Sequence, residues 1–124
     1  MSKISKNMLE ETYKMAIKVY EKIFNKNEGA KILCEQHKMN RNTANIHIGI
    51  IGCMLKGFCY KRAMSGDATN YYLAMIKKDF EMEIFVKALT AVKHHFQYKK
   101  SPSIEKIYEN FCKSSNLDSH DFKD

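Results

Sequence analysis

The sequence predicts an all-α protein, with about six helices in one compact bundle that contains a helix-turn-helix-like unit. Three observations carry that expectation. Apolar residues recur near a 3.6-residue period in successive blocks. Each block opens on a polar side chain suited to capping a helix. One Pro and five Gly among 124 residues leave too few turn residues for a β-sandwich, which needs a turn signal every ~8–12 positions.

The elements follow in chain order. Asn7-x-x-Glu10 has the spacing of a capping box before a first helix of about residues 8–26, with Leu9, Tyr13, Ala16, Ile17, Tyr20 and Phe24 on one face. Asn27 is the expected cap of a short second helix ending at His37. Asn40 opens a third that runs to about Lys56, with Gly57 at its C′ position. Residues 58–66 form a basic, aromatic connection, and Ser65 or Asp67 begins a fourth helix of about residues 67–79. A fifth of about residues 82–98 buries Phe85, Ala88, Leu89, Val92, His95 and Phe96. Ser101-Pro102 then places a proline at the first position of a sixth, in which Ile104, Ile107, Tyr108 and Phe111 repeat helically. The expected organisation is one helical domain over residues 1–113 and a polar tail over 114–124.

Charge narrows the function classes. The chain carries a formal +7, and the whole excess lies in residues 1–62, where twelve Lys and Arg face five Glu. Residues 63–124 hold nine of each sign, and residues 36–66 hold no carboxylate at all. That balance suits a polyanion better than a basic partner. The N-terminus has no apolar core of a secretory signal, and no apolar run reaches the ~18–20 residues of a membrane span, so a cytoplasmic protein without membrane contact is expected.

The four cysteines, Cys34, Cys53, Cys59 and Cys112, form no Cys-x-x-Cys pair and read as reduced core thiols. With His37, His47, His94 and His95 they make no zinc spacing, so neither metal nor cofactor is expected. No Cys–His pair is singled out as a nucleophile, and Gly49-x-x-Gly52 lacks the Lys-Ser/Thr companion of a phosphate loop. The chain is therefore not expected to be an enzyme.

Residues 30–54 carry the most information, as a short helix, a tight turn and a second capped helix. Lys38-Met39-Asn40-Arg41-Asn42-Thr43-Ala44 resembles the turn and recognition-helix start of helix-turn-helix DNA-binding proteins. Leu33, Cys34 and Met39 take the inter-helix packing positions, with Ala44 and His47 or Ile48 on the buried side. Two features depart from that pattern. Lys38 stands where Gly is usual, and Gly49 and Gly52 loosen the helix by ~1 kcal/mol each unless close packing requires them.

With Ala44, Ile48 and Ile51 facing inwards, Arg41, Asn42 and Asn45 are the candidate base readers, since Arg grips guanine and Asn adenine in the major groove. Lys38, Thr43 and the helix N-terminus that Asn40 caps suit phosphate oxygens. Lys56, Lys61 and Arg62 supply salt-sensitive phosphate contacts, with Tyr60 as a stacking group beside them.

A wider resemblance runs over residues 28–100. Met54-Leu-Lys-Gly57, Tyr60-Lys-Arg62, Ala68-Thr-Asn-Tyr-Tyr-Leu73, Ile76-x-x-Asp79-Phe80, Ala88-Leu89-x-Ala91 and His95-x-x-Tyr98 carry it. Together they resemble the helical region preceding the nuclease domain in some bacterial HNH-endonuclease-like proteins. The resemblance implies target recognition for a restriction-type enzyme, with a nuclease or defence complex as partner. It does not imply cleavage, because His94-His95 lies in an expected helix with no ββα-metal pattern around it.

The expected function is thus a small basic DNA-binding protein or target-recognition module that reads duplex DNA with residues 41–56. A single helix reads few base pairs, which favours a homodimer, although no heptad marks an interface. The alternative is a protein-interaction module or inhibitor, such as a phage-encoded anti-defence protein acting on a nucleic-acid-processing complex.

Overall fold

A computed structural model describes residues 5–115, and within them six helices and no strand occur, as the periodicity predicts. The order is α1 (Lys6–Tyr20), α2 (Lys26–His37), α3 (Arg41–Lys56), α4 (Gly66–Asp79), α5 (Met82–Tyr98) and α6 (Pro102–Ser114). The chain divides into two compact units between Gly52 and Cys53, so the boundary falls within α3.

In the first unit α1 packs on α2. The cap of α1 is Ser5, whose Oγ accepts the Met8 N–H at 3.2 Å, and not Asn7, which lies inside the helix. The helix also stops earlier than its apolar pattern suggests. Lys22 adopts a left-handed φ of 65°, the Lys22 N–H donates to the Val19 carbonyl, and the Ile23 N–H donates to that of Lys18. This paired termination usually recruits glycine. With a lysine there it is invisible in the sequence, and Phe24 therefore falls beyond the helix whose face it was expected to extend.

The start of α2 is corrected likewise. Asn25, not Asn27, forms the capping box, with Asn25 Oδ1 accepting the Glu28 N–H at 2.8 Å and Glu28 Oε1 accepting the Asn25 N–H at 3.0 Å. Buried Leu9, Tyr13, Met15 and Ala16 of α1 and Ala30 and Leu33 of α2 contribute the apolar interior here. Among the glycines the tightest surroundings are at Gly29, where an added Cβ would meet Met15 Cγ at 2.9 Å and Val19 Cγ2 at 3.2 Å.

The packing expectation for the other glycines fails. Among the described residues, a Cβ on Gly52 would meet nothing within 4 Å, and one on Gly49 would touch only the flexible side chain of Lys26, 3.7 Å from Nζ.

The second unit packs α4, α5 and α6 mutually. Ser65 caps α4, its Oγ accepting the Ala68 N–H at 3.1 Å. Ser101 occupies the cap position of α6 ahead of Pro102 without a side-chain cap bond. Tyr72, Leu73, Ile76, Phe85, Leu89 and Val92 are fully buried. Edge-to-face pairs join α5 to α6, Phe85 to Phe111 at 6.0 Å and Phe96 to Tyr108 at 5.3 Å between ring centroids. Such pairs add to the stabilisation that burial of their area provides. Ser114, expected to begin the polar tail, closes α6, and residues 116–124 lie outside those described.

Candidate nucleic-acid interface

In the first unit the candidate residues surround the start of α3. The connection from α2 is three residues long, and Lys38 adopts φ 55°, ψ 27°, the left-handed conformation that glycine would take most cheaply. Met39 is then buried, with Thr12 Oγ1 of α1 3.2 Å from its Sδ. A second tie involves the neighbouring residue of α1, where Glu11 Oε1 stands 3.6 Å from His37 Nε2 at the end of α2.

Asn40 caps α3 as its spacing predicts. Its Oδ1 accepts the Thr43 N–H at 3.0 Å, and its carbonyl accepts the Ala44 N–H at 2.9 Å. Arg41 and Asn42 are exposed on the first turn, beside Lys38 and with no carboxylate in that turn. The helix macrodipole adds partial positive charge at this end.

Thr43 is half-buried. Asn45 is corrected: it was expected on the outer face, yet it is half-buried, and its Oδ1 is shielded from water with no hydrogen-bond partner among the described residues. That leaves Arg41 and Asn42 as the fully presented pair. Ala44 and Ile48 are buried on the opposite face, as is His47, whose imidazole burial pushes down to about 4 and keeps neutral at neutral pH.

The second unit holds the other candidates, and its loop is built differently. After exposed Lys56, the chain turns at Gly57 with φ 77°, where the Phe58 N–H donates to the Cys53 carbonyl at 2.9 Å. Tyr60 is the main correction. It was expected to offer a stacking face to a base, but only 5% of it is exposed. Its ring stacks on His95 of α5 at 4.3 Å between centroids, and His95 Nδ1 lies 2.7 Å from the Tyr60 carbonyl. A carbonyl only accepts, so Nδ1 carries the proton. Burial raises the phenol well above its usual range, and its hydroxyl has no hydrogen-bond partner among the described residues.

Burying Tyr60 sends its neighbours outward. Lys61 and Arg62 are exposed, and Lys61 Nζ stands 5.6 Å from the centroid of Tyr98. The aromatic partner of Lys61 is therefore Tyr98, 57% exposed at the end of α5, with Phe58 also 60% exposed. Sequence reasoning missed both. Only the adjacent Lys99-Lys100 hinted at Tyr98, because the contact joins residues far apart in the chain.

None of the four cysteines is in a disulfide; Cys112 is buried, Cys34 and Cys53 are half-buried, and Cys59 is exposed, contrary to its expected place in the core. Among the described residues no three His, Cys, Asp or Glu gather as a metal site, and no helix is long and apolar enough to cross a membrane. The chain matches no protein-family model, no curated protein and no solved structure.

Proposed function

We propose that the protein is a small basic DNA-binding protein, a target-recognition module without nuclease chemistry, which reads duplex DNA with the first turn of α3. The observation that carries this reading is the pair Arg41 and Asn42. Both are exposed on a capped helix N-terminus within a stretch of 31 residues, 36–66, that holds no carboxylate. Arg presents two donors to guanine O6 and N7, and Asn pairs with adenine N6 and N7. The left-handed Lys38 and the buried Met39 support a helix-turn-helix reading of residues 30–54.

Lys38, Lys56, Lys61 and Arg62 serve phosphates, and Asn40 acts by organising the helix start. The resemblance to the region preceding an HNH-type nuclease domain supports the same role, with a nuclease-bearing complex as the partner in action. A protein-interaction module is the second reading, and the exposed Ile23 (60%) and Met82 (50%) favour it.

Fluorescence anisotropy with duplex DNA at two salt concentrations tests the first reading. Binding should reach at least the non-specific range of about 10⁻⁴–10⁻⁶ M and weaken steeply with salt. Replacing Lys61 and Arg62 together by Ala should lower the salt slope by roughly two. Absence of binding at low salt, with a protein partner that survives nuclease treatment, would transfer the conclusion to the second reading.

A further inference from the structure

The loop after α3 and the end of α5 meet as a two-rung ladder. Tyr60 stacks on His95, and the next loop residue, Lys61, lies over Tyr98, three positions further along α5. The first rung is buried and hydrogen-bonded, the second exposed. A rigid inner rung therefore holds an aromatic face and cations at the surface without needing a ligand to order them. Arg62, Lys99 and Lys100 are exposed beside these rungs in sequence, and no carboxylate interrupts residues 56–66 or 98–104. Phe58, on the other side of Tyr60, is an exposed ring of this loop.

From this we infer that the second unit carries a binding site for single-stranded nucleic acid, in which Tyr98 stacks an unpaired base while Lys61 and Arg62 hold the adjoining phosphates. Bases stacked within a duplex offer their edges and not their faces, so an exposed ring selects unpaired bases. Every base has a π-face, which makes the site tolerant of sequence, whereas the first turn of α3 is suited to discriminate. The ring and the ammonium are 5.6 Å apart, close enough to serve neighbouring parts of one nucleotide. The inference shares with the reading above the premise that this basic chain binds nucleic acid, and it rests on no property of α3.

The test uses the full chain and four labelled probes in anisotropy competition: oligothymidylate and oligouridylate of about 12 nucleotides, and duplexes of matching length in DNA and RNA. Tyr98→Ala is expected to weaken single-strand binding by between about fivefold and about a hundredfold, with duplex affinity unchanged within twofold. Tyr98→Phe should restore single-strand binding, and Tyr98→Leu, which keeps the apolar area, should not. Circular dichroism checks that each variant is folded. The two single-stranded probes decide whether DNA or RNA is preferred.

Equal losses on single strands and duplexes, no loss for Tyr98→Ala, or full rescue by Leu would each overturn the inference and leave the duplex reading standing. Single-strand binding without duplex binding would uphold it and overturn that reading. A chain that binds none of the probes sinks both, and makes the exposed rings a protein contact.

Discussion

Residues 38–42 and 56–62 belong to the same basic stretch of sequence, yet their side chains are positioned by different means. At the start of α3, exposure follows from helical phase and a local cap, since Asn40 holds the N–H of a residue three positions on. In the loop after α3, the partner of Tyr60 is 35 residues away, and that contact decides which of the loop's residues face water. The difference teaches that a polar helix start can be read locally, whereas a loop mixing aromatic and basic residues cannot. In such a loop the ring that finds a buried partner is lost to ligands, and its neighbours are presented instead.

The comparison breaks most visibly at Tyr60. Tyr60→Ala should cost about 3–5 kcal/mol, the usual range for removing a buried aromatic ring, read as a lower urea midpoint. Tyr60→Phe should cost nothing, because the hydroxyl it removes has no hydrogen-bond partner among the described residues. Full stability of the Ala variant would mean that the loop is not anchored by this ring.

A nearly equal effect should appear in α3 as a function of pH. His47 titrates at about 4 when folded against 6.5 unperturbed, so between those values the unfolded chain binds more protons. Its contribution is intact above about pH 6.5 and is lost as pH falls towards 4, by up to roughly 3 kcal/mol. Urea melts from pH 7.5 to 4.5 should show this slope, and His47→Gln should flatten it. An unchanged slope would place the titrating group elsewhere.

The candidate base readers are next in size. Arg41→Ala should cost about 1–3 kcal/mol on a selected duplex and much less on a scrambled one. Equal losses on both would reduce Arg41 to one more phosphate contact, like those proposed for Lys61 and Arg62. Smallest is the contrast of glycines. Gly52→Ala should stabilise by about 1 kcal/mol, since its Cβ enters open space and Ala favours helix. Gly29→Ala should bring no gain, because Met15 Cγ stands 2.9 Å from the added atom. Thermal melts of the two variants side by side check the pair.

Local signals made much of the molecule legible. The ends of α4 and α5 follow Ser65 and the apolar period, and Asn40 caps α3 as its spacing suggests. Where the reading of α1 overran, a lysine takes the left-handed conformation normally marked by glycine, so no residue type announces the stop. Where the glycines of α3 were ascribed to packing, the close approach is instead at Gly29, because only the meeting of two helices reveals which Cβ has no room. Asn45 was assigned outward from helical phase alone, and its shielded amide oxygen shows how phase falls short near the edge of a buried face.

Helical period, capping side chains and the distribution of charge, all properties of residues within a few positions of one another, determined the all-α class, most helix ends and the exposed Arg41 and Asn42. Tertiary structure alone decided that Tyr60 is buried, that Tyr98 and Phe58 are presented, and that Gly29 is the tight contact. Those outcomes depend on contacts between residues distant in the chain, and a linear pattern carries no record of which distant atom arrives.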